Sequence, residues 1–169
     1  MKTKTSLIER RIGIDMGHRV PNHKSKCNSL HGHFYNIFVG VDDKVITTPG
    51  TSDEGMVIDF SDLKQIMMEE IDAKFDHGFC MYKKDVFAPI FKVLKLGGSI
   101  AGYLIKDYKP QKIIFIDTIP TAENLAELWY NLIKLKLEEK GIKIKYVKVY
   151  ETANCCATHE EKENECNCN

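Results

Sequence analysis

The sequence has 169 residues, 43% hydrophobic and 28% charged, a size and balance that suit one globular domain with its own core. Lys plus Arg and Asp plus Glu each number 24, so the formal net charge is zero, which argues against a nucleic-acid surface built on a basic field. No run approaches the ~20 apolar residues of a membrane helix, and the polar stretch Met1 to Thr5 is unlike a secretory leader. A cytoplasmic protein with reduced thiols is therefore expected.

The first strand signal runs from Leu7 to Arg19, with Ile12, Ile14, Met16 and His18 on one face by period two. A polar loop, Val20 to Leu30, leads to a second strand signal, His33 to Asp42, rich in Phe, Tyr, Ile and Val. Asp42 to Gly55 reads as a turn-rich connection. A helix starts near Ser61, capped by Asp59 or Ser61, with Leu63, Ile66, Met67, Glu70, Ile71 and Lys74 on one side. Asp76 to Gly102 reads as loops with a short helical piece.

Lys112 to Asp117 reads as a buried strand. Thr121 then caps a second helix, with Glu123 in its first turn, where the helix dipole favours negative charge. Leu125, Leu128, Trp129, Leu132, Ile133 and Leu135 supply the buried side, and Gly141 ends it with a left-handed residue. Ile142 to Glu151 is the last strand, with a parity slip at Tyr146-Val147 that marks a bulge. The pattern predicts one α+β domain over residues 1–159, with a disordered polar tail over 160–169.

The chemistry concentrates around Leu30-His31-Gly32-His33. Two histidines at i and i+2 of a strand point to the same side, and His18 ends the neighbouring strand. Three neutral imidazoles with one open position are the composition of a catalytic zinc site. An isolated His-x-His pair is a short motif carried by many strands, and His23 is a competing loop histidine. Cys27 follows Lys24-Ser25-Lys26, positive surroundings that favour a thiolate. Asp76-His77 offers a histidine oriented by a carboxylate. Glu151, at a strand end, is able to hold an amidine-like edge through two parallel hydrogen bonds. Cys155, Cys156, His159, Cys166 and Cys168 match no zinc-knuckle spacing, and the four cysteines read as free thiols on a flexible tail.

In this order, His18-Arg19, Lys26-Cys27-Asn28, Leu30-His31-Gly32-His33, Gly55 to Phe60, Asp76-His77, Pro120 to Asn124 and Val149 to Thr152 resemble the family of 6-pyruvoyl-tetrahydropterin and 6-carboxytetrahydropterin synthases. The resemblance implies the tunnelling fold, a four-stranded antiparallel sheet with two helices packed on one face. It implies homo-oligomers, usually hexamers, with active sites between subunits. It implies Zn²⁺ on His18, His31 and His33, Cys27 as proton acceptor, and His77 with Asp76 in a proton relay. It also places Glu151 at the pterin ring and in the relay, with Thr121, Ala122 and Glu123 lining a neighbouring subunit's pterin pocket.

Leu30 and Ile58-Asp59-Phe60 look more like the carboxy branch, which serves queuosine and deazapurine synthesis. That branch converts 7,8-dihydroneopterin triphosphate to 6-carboxytetrahydropterin with loss of triphosphate and acetaldehyde, a lyase reaction. The pyruvoyl product and a non-catalytic pterin binder are the alternatives. No nucleic-acid or membrane partner is implied. Arg19, Lys24 and Lys26 are candidates for the triphosphate. Phe34, the long stretch between Asp76 and Pro120, and the cysteine-rich tail depart from the family pattern.

Overall fold

A computed structural model describes residues 4–96 and 108–161; residues 162–169 of the expected tail lie outside them. Two long strands, β1 (Thr5–His18) and β2 (His31–Lys44), pair antiparallel along their full length, with Ile14 opposite Tyr35 and His18 opposite His31. The period-two face read from the sequence is the buried one: Ile12, Ile14, Met16 and His18 are all buried, as are Tyr35, Ile37, Val39 and Val41 across the pair.

Asp59 caps α1 (Phe60–Met67), its carboxylate accepting from Ser61 N at 2.6 Å. A π-helical segment (Met68–Asp72) carries α1 into the short α2 (Ala73–Phe75). Leu63, Ile66, Met67, Ile71 and Phe75 are its buried residues. Glu70 and Lys74, expected on that side, instead form an ion pair with each other.

The expected four-stranded antiparallel sheet is corrected to six strands among the described residues, in the order β4-β3-β1-β2-β5-β6. Short β3 (Gly78–Tyr82) joins β1 in parallel, and β4 (Ile113–Ile116) joins β3 in parallel. Parallel neighbours need a connection of a dozen residues or more; β2 with α1–α2 stands between β1 and β3, and residues 83–112 stand between β3 and β4. The last strand of the sequence reading, β5 (Ile144–Thr152), is followed through a two-residue turn by β6 (Cys155–His159). Cys155 and Cys156 therefore lie on an edge strand rather than on a tail.

The long helix α4 (Ala122–Glu138) packs with α1 and α2 over the buried face, and Leu125, Ala126, Trp129, Ile133 and Leu137 enter the core. Two helices on one face is thus correct for α1–α2 and α4. A further helix, α3 (Ala88–Leu96), lies on the other face, where Phe91 meets Phe79 with ring centroids 4.9 Å apart. It lies there because β3 is apolar on both sides: Cys80 joins the main core, while Phe79 and Met81 join α3. The bulge on β5 falls at Lys145, between the pairs Gly40–Tyr146 and Val41–Ile144, one residue before the slip read from the sequence. No helix among the described residues is long and apolar enough to cross a membrane.

Candidate metal centre

The β1–β2 register decides the site. His18 pairs with His31, and His33 follows at i+2, so all three side chains leave the same face at one end of the sheet. The ring centroids of His18 stand 4.5 Å from His31 and 5.3 Å from His33, and those of His31 and His33 are 5.0 Å apart. One potential ligand atom from each of the three lies within 4.8 Å of the others.

Backbone carbonyls fix two of the rings. His18 Nδ1 lies 2.7 Å from Pro120 O, and His31 Nδ1 lies 2.8 Å from Ser29 O. A carbonyl accepts from an N–H, so each Nδ1 carries its proton and each Nε2 presents a lone pair. That is the tautomer that a metal-ligating histidine needs. Burial pushes His18 below the usual histidine range, helped by the neighbouring His31 and His33; the Pro120 bond and Glu151 oppose the shift. A neutral imidazole is the ligand form. His18 Nε2 is buried without a hydrogen-bond partner among the described residues. A buried polar atom of that kind demands a partner, and a divalent ion shared with His31 and His33 would supply one. The donor set fits zinc, with three imidazoles and room for a further ligand.

Glu151, at the end of β5, reaches the same centre. Its Oε1 lies 3.3 Å from His18 Nε2 and 3.8 Å from His33 Nε2. Tyr35 donates to that oxygen at 3.4 Å. Tyr35 is fully buried, and its ring meets His18, His33 and Trp129 edge-on at 5.9, 5.7 and 6.0 Å. Burial raises its phenol above the usual range, helped by Glu151, Cys80 and Cys27, so it remains a hydrogen-bond donor. Tyr35 was not singled out from the sequence, although it lies two residues after His33 and the same parity argument reaches it.

Cys27 is half-buried in a single 3₁₀ turn (Lys26–Asn28) between β1 and β2, and its carbonyl accepts from Val20 N at 2.8 Å. Cys80, opposite His18 on β3, is a core thiol that burial pushes up to about 12. His23 is occupied locally, its Nδ1 accepting from Ser25 N at 3.1 Å, and is not in the cluster. Arg19, one of the three candidates for the triphosphate, is buried and held by Asp85 and Asn28. Lys24 and Lys26 remain exposed beside Cys27.

Thr121 caps α4, accepting from Asn124 N at 3.4 Å, and it follows the Pro120 that holds His18. Ala122 and the exposed Glu123 form the first turn beside it. Asp76 and His77 form a pair of their own, with Asp76 Oδ2 2.6 Å from His77 Nδ1. His77 has a left-handed backbone, φ 54, unusual for a residue with a side chain. Two bonds to the β1 backbone hold it there: Asp15 N to Asp76 Oδ1 at 2.9 Å, and His77 N to Asp15 O at 2.7 Å. Asp15 stands three residues before His18, on the opposite parity of β1. His77, 79% exposed at its side chain, borders a groove of about 510 Å³ with Asp15, Phe34, Phe79 and Lys112. A single chain thus gathers His18, His31, His33, Glu151 and Tyr35, and it does not bring Asp76–His77 into that cluster.

A family model described as 6-pyruvoyl tetrahydropterin synthase matches residues 7–162. The 6-carboxy-5,6,7,8-tetrahydropterin synthase of Rickettsia typhi is 37% identical over 147 residues, covering 86% of this chain and 94% of the relative. The enzyme of that name from Aquifex aeolicus is 34% identical over 142 residues, covering 82% and 78%. Among solved structures, an uncharacterized protein of Wolinella succinogenes superposes with TM-score 0.74 at 20% identity, covering 95% of this chain and all of that one. The 6-pyruvoyl tetrahydropterin synthase of Caenorhabditis elegans gives 0.63 at 23% identity, covering 96% and 99%. The fold is the tunnelling fold of these proteins.

Proposed function

From the premise that the chain belongs to the 6-pyruvoyl tetrahydropterin synthase family, we propose that it converts 7,8-dihydroneopterin triphosphate to 6-carboxy-5,6,7,8-tetrahydropterin, releasing triphosphate and acetaldehyde. The observation that carries this reading is the convergence of His18, His31 and His33 beside Glu151. The name shared by the Rickettsia and Aquifex relatives favours the carboxy over the pyruvoyl product.

His18, His31 and His33 would hold a zinc ion, two of them already turned by Pro120 and Ser29. When bound, that ion supplies Lewis acidity towards the hydroxyl oxygens of the substrate side chain and makes the neighbouring C–H more acidic. Cys27, as thiolate, accepts the proton at Sγ. Glu151 holds the pterin edge through charge-assisted hydrogen bonds, steadied by Tyr35. The first turn of α4, from Thr121 to Glu123, lines a pterin pocket. His77 keeps Nδ1 on Asp76, which leaves Nε2 to return a proton to the substrate. Since Asp76 and His77 are bonded to Asp15, on the other parity of β1 from His18, the relay would be completed between chains of a homo-oligomer, a hexamer by resemblance.

Incubation of the zinc-loaded protein with dihydroneopterin triphosphate, followed by mass analysis, tests the proposal. 6-Carboxytetrahydropterin with acetaldehyde is the expected outcome. A 6-pyruvoyl product would move the chain to the other branch, and binding without turnover would remove the enzymatic reading.

A further inference from the structure

Arg19 follows the zinc-site candidate His18 directly, yet it points into the protein. Its side chain is 6% exposed and meets Asp85, 0% exposed, at 3.1 Å between Nη1 and Oδ1. The same guanidinium donates from Nη2 to Asn28 Oδ1 at 2.6 Å, and its Cζ lies 4.5 Å above the centroid of the Phe87 ring. Asp85 is fixed in turn: its Oδ1 accepts from Phe87 N at 2.8 Å, and its own N–H donates to Tyr82 O at 3.0 Å. One planar cation therefore joins three pieces of chain: the end of β1, the connection from β3 to α3, and the 3₁₀ turn that carries Cys27.

A buried charge pair is retained at a desolvation cost, so its position needs a reason. The turn Lys26–Asn28 has no buried residue and no side-chain cap. Beyond its own internal bonds, it is tied down by Val20 N to Cys27 O and by Arg19 to Asn28. The second tie is only as firm as Arg19, and Asp85 is what fixes Arg19. The fork geometry of guanidinium suits this task, since one group holds two acceptors in fixed directions.

We propose that Asp85 and Arg19 are positioning residues for Cys27, acting through Asn28 to hold the thiol-bearing turn in its reactive geometry. The connection after β3 thereby takes part in the site although none of its residues enters the histidine cluster. The catalytic half of this inference rests on the reading of Cys27 as the proton acceptor; the mechanical half does not.

The test is residue-resolved iodoacetamide labelling of the substrate-free protein, read by tryptic mass spectrometry, alongside steady-state turnover. Core Cys80 reports folding in the same sample, because it labels only when the protein opens. In Asp85→Ala, and independently in the exposed Asn28→Ala, Cys27 is expected to label about tenfold faster while Cys80 stays protected. In the same variants kcat falls by about 10²-fold, the scale of a misplaced reacting group, with KM near that of the parent. Asp85→Asn, which retains an acceptor for Arg19, restores most of both.

Parental Cys27 labelling and kcat in Asn28→Ala, with Cys80 protected, overturn the proposal. Asn28 is exposed and removes only the loop end of the chain of contacts, so this outcome is decisive even if Asp85→Ala unfolds. If Cys27→Ala retains full turnover, the reading of Cys27 as the base fails, while the labelling result still decides whether Asp85 and Arg19 hold the turn.

Discussion

His18 Nδ1 lies 2.7 Å from the carbonyl oxygen of Pro120, a residue 102 positions further along the chain. The bond ties the end of β1 to the entrance of α4, so the helix that closes the core also orients the most buried imidazole of the centre. Fold and site are coupled at this point.

Trp129 lies one side of that coupling, fully buried on α4 with its ring edge-on to Tyr35 at 6.0 Å and Phe75 at 5.6 Å. Trp129→Ala is expected to destabilise the protein by about 3–5 kcal/mol, measured as a lowered urea midpoint. A loss below about 1 kcal/mol would mean that the α4 contact with the sheet is not the main core.

Cys27→Ala is expected to lower kcat by about 10²–10⁴-fold, the range for a placed acid–base group, with zinc content unchanged. Metal analysis beside turnover separates loss of the base from loss of the ion.

Glu151→Gln keeps the shape and removes the charge. Charged hydrogen bonds contribute about 1.5–3 kcal/mol, so the affinity for a dihydropterin ligand should fall by about 10–100-fold while zinc stays bound. Isothermal titration with the pterin ring alone measures this without turnover. Unchanged affinity would place the pterin elsewhere.

The Asp76–His77 pair gives a pH signature. The hydrogen bond to Asp76, and its charge, raise His77 above the ordinary histidine value. Burial is the largest single influence on Asp76 and works against its charge, but the Asp15 N–H and the bond and charge of His77 together outweigh it and hold Asp76 below the usual carboxylate range. His77 therefore adds stability below its unfolded pKa and loses it as pH rises through the raised value. Asp76 adds stability above its unfolded pKa and loses it as pH falls through the lowered value. The pair is intact between the two. In an NMR titration the His77 ring midpoint should lie above 6.5 and should fall in Asp76→Asn; an unmoved midpoint would show that the pair does not form in solution.

The hairpin and its three-histidine face were legible because Ile12, Ile14, Met16 and His18 alternate cleanly, and because His31 and His33 share the parity of their partners. Asp59, Thr121 and Gly141 marked helix ends by side-chain chemistry that acts within a few residues. β3 was not legible: Gly78 to Tyr82 buries residues on both sides, so no period-two signal exists, and its pairing with β1 is set by contacts some sixty residues apart in sequence. The carbonyls of Ser29 and Pro120 were invisible for a different reason, since a backbone acceptor leaves no mark on residue type. The burial of Arg19, one of three candidates for the triphosphate, was not legible because the partner that holds it, Asp85, lies 66 positions away.

All of this chemistry depends on three imidazoles of one chain holding a single divalent ion. Zinc quantified by plasma mass spectrometry, after reconstitution with a small excess and desalting, tests it most directly. One zinc per chain is expected in the parent, with near-complete loss in His31→Ala/His33→Ala. A parent that returns free of zinc, or a double variant that keeps its full equivalent, would contradict it.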